Sequence, residues 1–174
     1  MERKIVLNLA MSLDGYIADE NGGFDWLVGD GSSEVDTLEK WDFKGFTDSV
    51  DVVVMGRQCY EQGMANDYAD KIVYVATSKD LKDHDNIKFM SGDIVSVILD
   101  EKKKEGKDIF LFGGGVVIDP FIKADVIDEY IIGYVPTILG SGRKLFLDNN
   151  PKIDLKLTET LVNDGIIISR YEKR

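Results

Sequence analysis

Strand-length apolar runs recur along the whole chain and constrain its fold more than any other feature. They are rich in Val, Ile, Tyr and Phe, which favour a pleated, half-buried setting. "DVVVMG" and "KIVYVATS" each contain a nearly continuous apolar run, as strands do when helices cover both faces of a sheet. The pattern predicts strands over Ile5–Ala10, Val50–Met55, Ile72–Ala76, Ile109–Phe112, Glu129–Val135, Leu155–Leu161 and Gly165–Tyr171.

Helical patterns lie between these runs. Apolar side chains recur at helical spacing over Ser33–Asp42, Asp93–Glu105 and Val116–Lys123, and we predict a helix over each range. The last two strands flank Asn163-Asp164-Gly165 and predict an antiparallel hairpin. Strands that alternate with helices indicate an α/β fold with a mixed, mostly parallel sheet. No repeat or linker interrupts the sequence, so we expect a single domain over residues 1–174.

Composition and charge exclude several classes of function. The formal net charge of -11 disfavours nucleic acid as a partner, because such binding depends largely on neutralising phosphates. No apolar run reaches the ~20 residues of a membrane span, and the N-terminus lacks the features of a signal peptide. Cys59 is the single cysteine, so a cytoplasmic location is expected. His84 lies in a charged segment without cysteine partners, and no metal is expected.

A glycine turn stands where one predicted strand meets a predicted helix. "IFLFGGGVVIDPF" sets Gly113, Gly114 and Gly115 between an apolar run and an amphipathic one. Backbone N–H groups at such a turn, next to a helix N-terminus, suit a phosphate. The pattern is neither G-x-G-x-x-G nor a P-loop. A tight turn that only allows close helix packing is the alternative.

Two more predicted strands end in groups that suit phosphate. Gly56 and Arg57 follow the strand at Val50, and arginine offers a planar fork of donors. Thr77, Ser78 and Lys79 follow the next strand. An ordinary surface arginine and a simple turn are the respective alternatives. Because the carboxyl ends of parallel strands meet at one edge of a sheet, we expect these groups to lie near the glycine turn.

The segment "MSLDGYIADENGGFDWL" combines a turn with a glycine-rich loop. An apolar strand runs into Asp14-Gly15, and the loop that follows ends at Trp26. Such a loop can close over a planar ligand and exclude water. A plain β-turn at Asp14-Gly15 is the alternative.

Taken in order, these segments resemble the dihydrofolate reductase-like fold family. "SLDGYIAD", "VVMGRQCYE", "VYVATS", "LFGGGVVIDPFIKADVIDEYIIGYVPTILGSGRKLF" and the closing hairpin carry the resemblance over nearly the whole chain. Within this family, the sequence is more similar to the riboflavin-pathway pyrimidine reductase than to the folate reductases. That reductase is the C-terminal domain of a bifunctional deaminase-reductase. It implies a three-layer α/β fold, NADPH as cofactor, a small-molecule substrate and a homodimer. It also implies a cis peptide bond between Gly113 and Gly114.

The resemblance assigns cofactor roles by position. Ala10 and Ile17 would border the nicotinamide. Gly56, Arg57 and Gln58 would lie at the phosphates and ribose. Thr77, Ser78 and Lys79 would lie at the adenosine 2′-phosphate. The pyrophosphate would be held by Gly113, Gly114, Gly115, Val116 and Val117. Cys59 stands where the family often has threonine, so one hydroxyl contact to the cofactor is absent.

The resemblance also indicates the substrate side of the site. Asp14 would orient or protonate the substrate, and the loop that carries Trp26 would cover it. Folate reductases place a carboxylate five residues after this tryptophan, where the present chain has Gly31, which disfavours folate reduction; Glu34 is the weaker substitute. We therefore expect an NADPH-dependent reductase of a small heterocyclic substrate. A divergent dihydrofolate reductase and a nucleotide-binding protein without turnover are the alternatives.

Overall fold

The computed structural model describes residues 2–174. Within this range a 3-10 helix over Met64–Tyr68 accompanies the strands and α-helices. The strands are β1 (Ile5–Ser12), β2 (Tyr16–Ala18), β3 (Val50–Gly56), β4 (Ile72–Ala76), β5 (Ile87–Met90), β6 (Asp108–Gly113), β7 (Glu129–Val135), β8 (Arg143–Lys144), β9 (Leu155–Asn163) and β10 (Ile166–Lys173). The helices are α1 (Phe43–Asp48), α2 (Arg57–Glu61), α3 (Ile94–Lys102) and α4 (Gly115–Lys123).

One eight-stranded sheet organises the molecule, in the order β5-β4-β3-β6-β1-β7-β10-β9. Every pair from β5 to β7 is parallel, whereas β10 runs antiparallel to both β7 and β9. The mostly parallel sheet with a C-terminal antiparallel hairpin is the predicted architecture. A small second sheet pairs β2 with β8.

Apolar side chains fill both faces of the large sheet, because successive residues of a strand point to opposite sides. In β1, Ile5 and Leu7 face the core under α3 and α4. Val6 faces the other core, which is closed by Phe46 of α1 and by Tyr68 of the 3-10 helix. Helices on both faces of one sheet give the three layers that the resemblance implies.

The predicted helix over Ser33–Asp42 is wrong. The segment is irregular and is hydrogen-bonded to the C-terminal hairpin: the Thr37 amide donates to the Val162 carbonyl (3.0 Å), and the Asp164 amide donates to the Asp36 carboxylate (2.8 Å). Leu38, which belongs to the apparent apolar stripe, is fully exposed. Backbone pairing with the hairpin therefore replaces helix formation here.

Several short elements have no counterpart in the sequence prediction. The strands β2, β5 and β8 are at most four residues long, too short for a periodic pattern to show. The predicted helix Asp93–Glu105 begins at Ile94 and ends earlier, at Lys102. No helix in residues 2–174 is long and apolar enough to cross a membrane.

A buried polar network ties together the amino end of the sheet, away from the glycine turn. Arg3, Glu101 and Tyr74 are each at least nine-tenths buried. Arg3 forms ion pairs with Glu101 (Nη1–Oε1 3.6 Å) and with Asp51, and the Tyr74 hydroxyl donates to Glu101 (2.8 Å). The network therefore connects the start of β1 with β3 and α3, and removal of one member would leave another charge buried without its partner.

Candidate active site

The glycine turn and the end of β3 lie side by side at the carboxyl edge of the sheet. A Cβ atom built on Gly56 would lie 3.8 Å from the Gly113 carbonyl oxygen and from the Gly114 nitrogen. The peptide bond between Gly113 and Gly114 is cis, as the resemblance implies. We call Gly56, Gly113 and Gly114 the glycine ledge. Two of the predicted phosphate-binding strand ends therefore form one surface.

A different structural reason accounts for the presence of glycine at each of the three consecutive positions. Gly113 has φ +132°, a backbone angle that other residues rarely adopt. A Cβ on Gly114 would approach only Ile17 Cδ1, at 3.7 Å, so its absence leaves open space on the ledge. A Cβ on Gly115 would lie less than 3.0 Å from the Lys144 carbonyl oxygen. Gly115 thus permits close packing against β8, while Gly114 leaves room for a ligand.

The helix α2 presents Arg57, Gln58 and Cys59 beside the ledge. Arg57 forms an ion pair with Glu61 one turn later (2.7 Å), and this pair is largely exposed. The Cys59 Sγ lies 3.9 Å from the Gly113 carbonyl oxygen. Burial raises the pKa of the Cys59 thiol against the opposing effect of nearby backbone amides and of Arg143, so the thiol is neutral at pH 7. It therefore packs against the turn as a small apolar group.

Thr77, Ser78 and Lys79 follow β4, the strand next to β3. The Thr77 hydroxyl accepts a hydrogen bond from the Lys79 amide (3.1 Å), which shapes a turn. Ser78 and Lys79 are exposed. Since neighbouring strands are ~4.8 Å apart, this turn lies about two strand spacings from Gly113, at the far end of the same edge. Its predicted contact with the adenosine 2′-phosphate stays a prediction.

The remaining predicted cofactor residues lie around the ledge in unequal positions. Ile17 of β2 faces Gly114, as noted above, whereas Ala10 packs its Cβ against Gly133 of β7. Val117 is buried, and its side chain lies against Gly56. Val116 is 79% exposed. Val117 therefore packs beneath the ledge, with its amide donating to the Gly114 carbonyl (3.0 Å), while Val116 projects from the start of α4.

Asp14 is bound into the protein by its own turn. Its carboxylate accepts hydrogen bonds from the Ser12 hydroxyl (2.6 Å) and from the amides of Leu139 (3.1 Å) and Gly140 (2.7 Å). The Ser12 hydroxyl, followed by these two amides, lowers the pKa of the Asp14 carboxyl. Asp14 is ionised at neutral pH and holds the segment that leads to β8, so its geometry suits orientation better than proton donation.

Among the described residues, neither Trp26 nor Glu34 is hydrogen-bonded to Asp14. Trp26 is partly buried and donates from Nε1 to the Gly23 carbonyl (3.3 Å), which folds the ring back onto its own loop. Glu34 is exposed in the irregular segment tied to the hairpin turn, at the amino end of β10. Because β10 runs antiparallel to β7 and β7 parallel to β1, this turn lies at the sheet edge formed by the carboxyl ends of β7 and β1. The Glu34 side chain therefore lies neither on a helix nor in a buried pocket.

Asn8 is a polar group that the sequence prediction omits. It is 9% exposed in the middle of β1, and its Nδ2 has no hydrogen-bond partner among the described residues. Alternation along the strand places it on the same face as Val6 and Ala10. A buried donor without a partner is costly and suits a site where a ligand supplies the acceptor. The lone asparagine in "IVLNLAMS" was the available indication.

The residues at the ledge fit a dinucleotide. The open position at Gly114, the amides that begin α4 and the cationic side chains beside them suit a pyrophosphate. Among residues 2–174, no group of three or more His, Cys, Asp or Glu side chains could hold a metal ion. Two clefts of about 400 and 440 Å³ lie toward the amino end of the sheet, one beside Trp41 and Arg170, the other beside Lys102.

The fold and this ledge define an α/β protein of the dihydrofolate reductase-like class, with a riboflavin-pathway reductase-like fold. The chain belongs to the RibD C-terminal domain family, whose sequence profile matches residues 3–167. It is 38% identical over 169 residues to the uncharacterized protein YwjB of Bacillus subtilis (strain 168), covering 91% of this chain and 92% of that one.

Solved structures support the same assignment. A protein from Shewanella sp. PV-4, provisionally assigned to riboflavin biosynthesis, superimposes with a TM-score of 0.79 at 29% identity, over 98% of this chain and 99% of the other. The Thermotoga maritima deaminase/5-amino-6-(5-phosphoribosylamino)uracil reductase gives a TM-score of 0.72 at 17% identity over 99% and 57%. Dihydrofolate reductase from Enterococcus faecalis, complexed with NADP(H), gives 0.71 at 18% over 100% and 98%. The last two likenesses concern the fold alone.

Proposed function

We propose that the protein is an NADPH-dependent reductase of a small heterocyclic substrate, similar to the uracil reductase of riboflavin biosynthesis. The observation that carries the proposal is the glycine ledge, where a missing Cβ at Gly114 leaves space between Ile17 and the start of α4. Its position at the carboxyl ends of β3 and β6 is where parallel sheets gather ligands. Family membership and the NADP(H)-bound folate reductase neighbour support the choice of cofactor.

The chain's own residues position the reactants. When bound, the cofactor supplies the hydride. Ile17 packs beside the ledge, and we expect the loop that carries Trp26 to cover the bound substrate. Asn8 offers an amide donor to an acceptor on the substrate, and Asp14 fixes the segment before β8. Much of the rate enhancement is therefore expected from orientation.

NADPH binding is the direct test. Titration of the purified protein with NADPH, followed by the cofactor's fluorescence and by calorimetry, is expected to saturate. Arg57→Ala should weaken binding roughly fivefold, equivalent to about 1 kcal/mol, because a phosphate must first displace Glu61 from the guanidinium. No saturable binding at millimolar NADPH would refute the proposed function, and unchanged affinity in the variant would refute the role of Arg57.

Two rival functions give different results in the same assays. A divergent dihydrofolate reductase would oxidise NADPH with dihydrofolate and would lose this activity in Glu34→Gln. The exposed position of Glu34 argues against that outcome. A nucleotide-binding protein would bind NADPH but oxidise it with neither pyrimidine nor pterin substrates. Turnover with a ribosylaminopyrimidine and not with dihydrofolate would support the reductase proposed here.

A further inference from the structure

Arg143 stands beside the ledge and connects two elements across it. Its Nη1 donates to the Gln58 side-chain oxygen of α2 (2.6 Å). On the other side, the same nitrogen lies 2.8 Å from the position of a Cβ on Gly22, in the loop that follows β2. Its charge also acts on the neighbouring Cys59 thiol, which itself contacts the Gly113 carbonyl. The guanidinium therefore lies over the start of α2, and the next residue, Lys144, packs its carbonyl against Gly115 of the glycine turn.

The backbone around Arg143 is firmly placed. Arg143 pairs with Ala18 of β2, and the buried Leu145 donates its amide to the Gly15 carbonyl (3.0 Å). Gly115 packs directly beneath the Lys144 carbonyl. Because strand pairing, a buried side chain and the first turn of α4 all fix this segment, the guanidinium is delivered to the ledge at little entropic cost.

The charge of Arg143 is not neutralised by a carboxylate. Arg57 on α2 pairs with Glu61, but Arg143 forms no ion pair within the described part of the chain, and its partner Gln58 is a neutral amide. Arg3, Arg57 and Arg170, by contrast, each face a carboxylate. Its planar fork of donors suits a phosphate group.

We propose that Arg143 binds the pyrophosphate of the dinucleotide cofactor. In the free protein its guanidinium donates to Gln58, and on binding it exchanges this amide oxygen for a phosphate oxygen. The exchange is favourable because a hydrogen bond between two charged groups is stronger than one to a neutral amide. This inference rests on the proposed function, and it adds a ligand from β8 to those supplied by α2 and α4.

The test compares three variants with the wild-type protein. NADPH dissociation constants are measured by fluorescence titration at several salt concentrations, and inorganic pyrophosphate serves as a competing probe. Arg143→Ala should weaken NADPH and pyrophosphate binding by roughly 10- to 100-fold and make NADPH binding less sensitive to salt. Arg143→Lys should give an intermediate loss. Lys144→Ala, the matched control, removes the adjacent exposed charge and should bind like wild type.

The outcomes distinguish a failure of the proposed role of Arg143 from a failure of the proposed function. If wild type binds NADPH and Arg143→Ala binds equally well, the role of Arg143 is refuted while the proposed function stands. If Arg143→Ala changes only the KM of a phosphorylated substrate, the arginine serves the substrate and the inference is again refuted. If wild type itself shows no binding, the proposed function fails. Circular dichroism checks folding, and Arg143→Lys carries the test if the alanine variant is unfolded.

Discussion

Gly115→Ala tests whether the contact between α4 and β8 requires the absence of a side chain. The added Cβ would lie less than 3.0 Å from the Lys144 carbonyl oxygen and 3.3 Å from that of Leu145. Both obstacles are backbone atoms, and Leu145 is fully buried, so neither can move without shifting β8. Overpacking of this kind costs about 1–3 kcal/mol. Lower entropy of the unfolded chain returns roughly 0.4–1 kcal/mol.

The expected net loss of stability is about 1–2 kcal/mol. For a domain of this size it lowers the unfolding midpoint by roughly 2–8 °C. Thermal and urea unfolding, followed by circular dichroism, measure both quantities. Val116→Ala is the matched control, because the adjacent Val116 is 79% exposed and loses little contact. Equal stability of the two variants, within about 0.5 kcal/mol, would show that this close approach does not hold the segment in place.

Three further predictions follow from the polar groups. Asn8→Leu should raise the free energy of unfolding by about 1 kcal/mol, because it removes an unpartnered buried donor, and should raise the KM for substrate; urea unfolding that shows a loss of stability would contradict it. Asp14→Asn should leave the pH dependence of the reduction rate near neutral pH unchanged, because the lowered pKa keeps the Asp14 carboxyl ionised in that range. If stopped-flow measurements showed that this pH dependence is lost in the variant, Asp14 would be the proton donor. Arg3→Ala should destabilise the protein by about 3–5 kcal/mol by leaving Glu101 buried beside fewer cations, without changing NADPH affinity. Burial opposes ionisation of Glu101, but hydrogen bonds from Lys104 and Tyr74 outweigh burial and lower the Glu101 pKa. The contribution of Glu101 to the stability of the wild-type protein is therefore present above about pH 4.5. This contribution is lost as the pH falls through the lowered pKa of the folded state.

The sequence was sufficient for the main strands because their apolar runs are long. The core strands β3, β4 and β6 are buried on both faces and carry charged residues only near their amino ends, at Asp51 and Asp108, which makes them easy to recognise. The strands β2 and β8 are short, and they form only because the chain around Gly142 and Leu145 is packed against α4 and the β1–β2 turn. No local pattern encodes such a pairing.

In the candidate site, too, some residues could be predicted from local sequence patterns and others could not. Gly56 and the three glycines follow strongly predicted strands, and the structure brings them together as expected. The substrate side was less predictable, because hydrogen bonds over long sequence separations determine it. Glu34 was expected near a helix, but Asp164, 128 residues after Asp36, holds that segment against the hairpin. The surroundings of Asn8 and Arg143 likewise depend on residues far along the chain.

The attachment of the Gly31–Thr37 segment to the hairpin has a consequence for how the protein is made. The amide of Gly31 donates to Asp164, and the amide of Thr37 donates to the Val162 carbonyl. This early segment therefore cannot reach its final conformation until residues near the C-terminus have been synthesised. β1 likewise lies between β6 and β7, far from its neighbours in sequence. The ribosome must therefore release nearly the whole chain before the substrate side can assemble. A nascent polypeptide that stops before β10 would expose apolar strands to chaperones and proteases.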